Sequence, residues 1–158
     1  MPGSSRENPL LNPDYRDILS AFNEEKVDYL LVGAYALAVH GVPRATGDID
    51  LWIHCTEDNA QRAWRALASF GAPLSGLNES DLRTPGVVFQ IGVAPSRIDV
   101  LTSIDGVDFT DAWKGRLEVE VEGIKVTVIG RPHLIANKKA VGRPQDLVDV
   151  ARLESEKA

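Results

Sequence analysis

The chain has 158 residues, 44% of them hydrophobic and 25% charged, the size and composition of one globular domain with a core of its own rather than a disordered or fibrous chain. Its formal net charge of −6 argues against a protein that coats DNA or RNA, and its single cysteine, Cys55, excludes an internal disulfide framework and a multi-cysteine zinc site. No stretch reaches the roughly 18 apolar residues that span a bilayer, and residues 1–9 lack the apolar core of a signal peptide, so a cytoplasmic protein without a membrane partner is expected.

In chain order, residues 1–11 are polar, rich in Pro and Ser, and read as a flexible arm ahead of a single domain over 12–158. Asn12-Pro13 has the form of a helix cap with proline at the first helical position, and Tyr15, Ile18, Leu19 and Phe22 follow on one helical face. Residues 28–32 are a short apolar run ending at Gly33 and read as a buried strand. An alanine-rich helix is expected over 34–40, closed by Gly41. Residues 48–53 alternate polar and apolar, which predicts a strand with Asp48 and Asp50 on one face. Thr56 caps a helix with Glu57 and Asp58 in its first turn, an apolar face of Ala60, Ala63, Trp64, Leu67 and Phe70, and Gly71 at its end.

Residues 72–86 are polar, contain Pro and Gly, and read as a long loop. Residues 87–93 and 97–102 are strand candidates joined by Ala94-Pro95-Ser96. A short helix over 108–115 precedes a hairpin of 117–121 and 124–129 around Glu122-Gly123. Two closing helices, 132–141 and 144–153, are separated by Gly142-Arg143. The mixture predicts an α+β fold, a mixed, largely antiparallel sheet with helices packed on it.

The chemistry concentrates in residues 31–51. Two carboxylates on one strand face, Asp48 and Asp50, repel each other and raise one pKa unless a cation lies between them. Oxygen-only donors suit Mg²⁺, which takes one or two carboxylates and completes its shell with water and phosphate. Ahead of them, Gly33 lets the backbone approach a ligand closely, and the helix after it presents free N–H groups to an anion. A phosphate cradle beside a paired-carboxylate metal site is the equipment of phosphoryl or nucleotidyl transfer. Arg44 and Thr46 sit in the loop just before the carboxylates, where an arginine could reach a triphosphate. His40, His54 and His133 are not placed as bases, and Trp52, Trp64 and Trp113 read as core residues.

Val32-Gly33-Ala34, thirteen intervening residues and Asp48-Ile49-Asp50-Leu51 together resemble the signature of the DNA polymerase beta-type nucleotidyltransferase superfamily. Ala34 departs from it, because active members usually carry Ser or a second Gly there. The resemblance implies a nucleotidyltransferase fold and a third carboxylate on a later strand, for which Arg97-Ile98-Asp99-Val100-Leu101 supplies Asp99. Leu134-Ile135-Ala136-Asn137-Lys138, with Gly142-Arg143-Pro144-Gln145-Asp146-Leu147-Val148-Asp149, is similar to the tail of small bacterial nucleotidyltransferase-like proteins, including abortive-infection and toxin–antitoxin types. In that tail the lysine and the first aspartate are functional, here Lys138 and Asp146, while Asp149 is structural.

The activity so implied is Mg²⁺- or Mn²⁺-dependent transfer of a nucleoside monophosphate from an NTP such as ATP to an acceptor hydroxyl, with release of pyrophosphate. Asp48, Asp50 and Asp99 would be the catalytic carboxylates and metal ligands; Gly33, Ala34, Arg44, Thr46, Lys138 and Asp146 would bind nucleotide. Acceptors in the superfamily include tRNA ends, protein hydroxyls, and small molecules such as aminoglycoside or lincosamide antibiotics. With no separate acceptor domain expected, the acceptor would be small, a partner protein, or held by another subunit of a homodimer. The alternative, favoured by Ala34 and the small size, is a nucleotide- or partner-binding module with weak or absent catalysis, such as a toxin–antitoxin component.

Overall fold

A computed structural model describes residues 11–42 and 47–155. Its framework is a six-stranded sheet built from β1 (Tyr29–Val32), β2 (Ile49–Ile53), β3 (Val88–Ile91), β4 (Ile98–Leu101), β5 (Leu117–Val121) and β6 (Ile124–Val128), in the order β3-β4-β2-β1-β6-β5. Neighbours β1/β2, β3/β4 and β5/β6 are antiparallel, whereas β1/β6 and β2/β4 are parallel. The described helices are α1 (Pro13–Glu24), α2 (Gly33–Val39), α3 (Glu57–Phe70), α4 (Phe109–Lys114), α5 (Arg131–Val141) and α6 (Pro144–Ser155). This is the mixed, largely antiparallel sheet with packed helices that the sequence predicts.

Local chemistry sets most boundaries. Asn12 Oδ1 accepts from the Tyr15 amide at 2.9 Å and Pro13 opens α1, whose buried stripe is Tyr15, Ile18, Leu19, Ala21 and Phe22. Residues 1–10 of the expected arm lie outside the described residues, and Leu11, its last residue, is buried in the core. The Thr56 hydroxyl accepts from the Asn59 amide at the start of α3, and Gly71 ends that helix at φ +95°. The expected apolar face packs on the core, with Ala60, Ala63 and Leu67 buried and Trp64 and Phe70 half-buried against it; Ala66 and the polar Asn59 are fully buried as well. Asn59 belongs inside because it ties the ends of β1 and β2 together. Its Oδ1 accepts from Asp28 N at 2.7 Å, and its Nδ2 donates to Asp28 O at 2.9 Å and His54 O at 2.8 Å.

The stretch 72–86 also departs from its reading as a loop. It contains a 3₁₀ helix, Glu79–Arg83, started by a capping box between Asn78 and Asp81 and pinned by buried Leu77 and Leu82. The β5–β6 hairpin turns on Glu122 and Gly123 with φ of +52° and +83°, the left-handed pair a two-residue hairpin requires.

For function, register is the main result. Val32 pairs with Asp50 across β1/β2, and Asp50 pairs with Asp99 across β2/β4. These residues form one row across the sheet, at the end where Gly33 turns the chain into α2. Ile49, Leu51 and Ile53, which alternate with the acidic positions of β2, are fully buried on the opposite face.

Candidate functional site

Gly33 sits at φ +74°, and a Cβ there would run into the Asp50 carboxylate. Only glycine fits this turn, for both conformational and steric reasons. The Asp50 carboxyl is pushed up to about 7 by burial, then by the charge of Asp99 and a hydrogen bond to it, then by Asp48. Asp99 is itself buried, at 7% exposure.

Arg97, one residue before β4, reaches across this acidic group. Its Nε lies 2.7 Å from Asp99 Oδ1, and its Nη2 lies 3.0 Å from Asp99 Oδ2 and 3.1 Å from Asp48 Oδ2. The Arg97 backbone N–H donates to Asp48 Oδ1 at 2.9 Å. Beneath, the Tyr15 hydroxyl donates to Gly47 O at 2.7 Å and Arg97 O at 3.2 Å, which joins α1 to both segments that carry the carboxylates. Burial and the charges of Tyr35, Asp48 and Asp50 push that phenol up to about 12.

A cavity of about 330 Å³ opens over the row. The sheet contributes Val32 and Asp50, the start of α2 Gly33, the segment after β4 Ser103, and the closing helices with their turn Lys138, Arg143 and Asp146. The two helices meet in a tight turn. Gly142, at φ +71°, ends α5 and Pro144 opens α6, which folds Asp146 back over Lys138. The buried Lys138 ammonium lies 3.5 Å from Asp146 Oδ1 and 3.3 Å from Asp149 Oδ2. Arg143 donates Nε to Asp146 Oδ2 at 2.7 Å and Nη2 to Asp146 Oδ1 at 3.1 Å. These bonds from Arg143, with help from Lys138, hold the Asp146 carboxyl down at about 2, so it stays ionised.

Of the residues singled out in the sequence, Gly33, Asp50, Lys138 and Asp146 line this one cavity. Asp48 and Asp99 join Asp50 through strand register and Arg97 rather than as part of the cavity lining. Ala34 follows Gly33 in α2, half-buried, and is not among the lining residues. Arg44 and Thr46 lie outside the described residues. His40 is buried with Nε2 donating to Ile129 O at 2.7 Å, a structural role in line with its exclusion as a base. Trp52 is a core residue packed edge-on against Phe109, with ring centroids 4.9 Å apart.

Three residues at the site were not assigned a role from sequence: Arg97, Arg143 and Tyr15. The signal for Arg97 was present, since a residue two before Asp99 shares its strand face. Arg143 stands beside the tail motif, but only the tight turn brings its guanidinium onto Asp146. Tyr15 read as one member of an apolar helix face, which says nothing about its hydroxyl.

Asp48, Asp50 and Asp99 are hard oxygen donors on neighbouring strand ends, and the Asp50 pKa, raised first by burial and then by Asp99 and Asp48, marks a carboxylate whose charge a cation would relieve. That donor chemistry fits a divalent metal. The side-chain directions shown do not gather it, however: among the described residues no three His, Cys, Asp or Glu side chains are grouped to hold a metal ion. The oxygens of Asp48 and Asp99 are turned to Arg97 instead.

No family model and no curated protein matches the chain. Solved structures do. A Thermotoga maritima protein described as a candidate nucleotidyltransferase aligns at a TM-score of 0.60 and 19% identity, over 95% of this chain and 98% of that one. The lincosamide antibiotic adenylyltransferase LnuA, with lincomycin bound, aligns at 0.59 and 15% identity, over 95% and 100%. The resistance factor ANT(2'')-Ia, in complex with adenylyl-2''-tobramycin, aligns at 0.54 and 18% identity, over 87% and 83%. The chain has the nucleotidyltransferase fold. The fold implied by Val32-Gly33-Ala34 and Asp48-Ile49-Asp50-Leu51 is thus the fold observed. Among the described residues, no helix of this nucleotidyltransferase-fold chain is long and apolar enough to cross a membrane.

Proposed function

We propose that the chain transfers a nucleoside monophosphate from an NTP to an acceptor hydroxyl with release of pyrophosphate. The observation that carries this reading is one cavity with an acidic floor and a helical side on which Lys138 and Arg143 flank Asp146. Asp50, paired with Asp99, lies under a glycine turn that admits no side chain, and Lys138 and Arg143 line the same space. Asp48, Asp50 and Asp99 would hold Mg²⁺ or Mn²⁺, which supplies Lewis-acid stabilisation of phosphate charge. Lys138 and Arg143 meet the negative charge of the β and γ phosphates, with Asp146 orienting the Arg143 fork. Gly33 and the Ala34 amide stand at the start of α2 where phosphate oxygens would approach, and Arg44 and Thr46 complete the proposed nucleotide-binding set. Asp99 accepts the proton of the acceptor hydroxyl as that oxygen bonds to the α-phosphorus. The bond from the α-phosphorus to the bridging oxygen breaks, and its electron pair leaves with pyrophosphate.

A small hydroxyl-bearing molecule is the favoured acceptor, because two proteins of similar fold carry lincomycin and an adenylylated tobramycin in their structures. The deciding experiment incubates the protein with each α-labelled NTP, Mg²⁺ and fractionated cell extract. Label appearing on an acceptor supports transfer. NTP–Mg²⁺ binding without any transferred label would promote the second reading, a nucleotide- or partner-binding module of the toxin–antitoxin kind, which Ala34 favours.

A further inference from the structure

We propose that Arg97 is the internal counter-ion of the acidic cluster, a guanidinium that holds Asp48 and Asp99 together and must be displaced before a divalent cation can reach both. The inference rests on the nucleotidyl-transfer reading and deepens it, by making cation entry the property of one side chain.

All four carboxylate oxygens of Asp48 and Asp99 are engaged by this residue: Asp99 Oδ1 by Nε at 2.7 Å, Asp99 Oδ2 by Nη2 at 3.0 Å, Asp48 Oδ2 by the same Nη2 at 3.1 Å, and Asp48 Oδ1 by the backbone amide at 2.9 Å. Nη2 therefore lies between the first and third carboxylates. Mg²⁺ takes oxygen ligands at about 2.0–2.1 Å, and an ion drawing on both aspartates would need the space and the lone pairs the guanidinium now uses. Two cations cannot share that position without repulsion. Binding is an exchange, one positive charge for another.

The surroundings permit the exchange. The Arg97 side chain is 28% exposed, so it can swing outward without unpacking the core. Its backbone is held independently, by the Tyr15 hydroxyl and by the Ile49 N–H at 3.0 Å, both donating to its carbonyl, so the strand stays in register while the side chain moves. A triphosphate arriving with the cation offers the released guanidinium a new anionic partner. Free divalent cation should thus bind weakly, and cation and nucleotide should bind best together.

The test is a Mn²⁺ titration of the full chain without nucleotide, with free Mn²⁺ read by electron paramagnetic resonance. Arg97→Gln is expected to bind Mn²⁺ at least about ten-fold more tightly than the natural chain. Arg97→Lys, whose compact ammonium cannot fork across both aspartates, is expected to fall in between. Equal or weaker Mn²⁺ binding by Arg97→Gln would overturn the proposal, because the arginine would then organise the site rather than compete for it. If Arg97→Gln fails to fold, Arg97→Lys decides alone by the same criterion. Mn²⁺ binding that is lost in Asp50→Asn yet indifferent to Arg97 sinks only the counter-ion. No saturable Mn²⁺ binding in any of these proteins sinks the metal assignment and the counter-ion with it.

Discussion

Asp50 gives the acidic row a pH signature that can be measured without substrate. Its carboxyl titrates at about 7 in the folded chain against 3.8 for an unperturbed one. Between those values the unfolded chain has released a proton that the folded chain keeps, so stability falls as pH rises from 3.8 to about 7 and levels off above. Asn at this position has the same shape, carries no charge, and keeps an N–H able to donate to Asp99. The stability gap in favour of Asp50→Asn should therefore grow from about 1 kcal/mol near pH ~4.5 to about 4 kcal/mol near pH ~8. Urea unfolding of both proteins across this range, in the presence of a chelator, reads the gap directly. A gap that stays constant, or widens towards acid, would show that Asp50 is not the strained carboxyl of the row.

Lys138→Met should destabilise the chain by about 3–5 kcal/mol, because it takes the ammonium away from two carboxylates, Asp146 and Asp149, that are at most 1% exposed. A loss below about 1 kcal/mol in urea would refute that dependence. Tyr15→Phe removes the hydroxyl from the Gly47 and Arg97 carbonyls and should lower unfolding stability by about 1–3 kcal/mol. An unchanged unfolding midpoint would mean that this tie contributes nothing. Asp99→Ala should leave NTP affinity within a few fold and lower transfer by orders of magnitude, an effect in the transition state rather than the ground state. Turnover within about threefold of the natural chain would remove Asp99 from the chemistry.

What the sequence disclosed and what it hid divide along physical lines. Caps, periodic faces and hairpin turns are local, and Asn12-Pro13, Thr56 and Glu122-Gly123 appear where the residues predict them. The alternation of Asp48 and Asp50 with Ile49 and Leu51 showed which face of β2 is acidic, and the match to Asp99 followed once β2 and β4 paired. Residues 72–86 misled because a 3₁₀ turn rests on a capping box and two buried leucines, too little apolar pattern to register in a polar stretch. The face of α3 was legible in Ala60, Ala63, Trp64 and Leu67, whereas the buried Asn59 was not, because its role lies in bonds to Asp28 and His54. Arg97 and Arg143 were hidden because a guanidinium's role depends on which carboxylate lies within its reach, a tertiary fact.

The parallel pairing of β2 with β4 also has a consequence in time. The β3–β4 and β5–β6 hairpins close over short loops, but the Asp50–Asp99 pair must wait until α3 and the 3₁₀ segment have been looped out. Non-local pairings of this kind bear their closure entropy before any contact repays it, so they form late. The helical side of the cavity comes later still, from α5 and α6. A chain emerging from the ribosome thus presents β2 well before β4 is available to pair with it, and it cannot close its cavity until Asp146 has been synthesised.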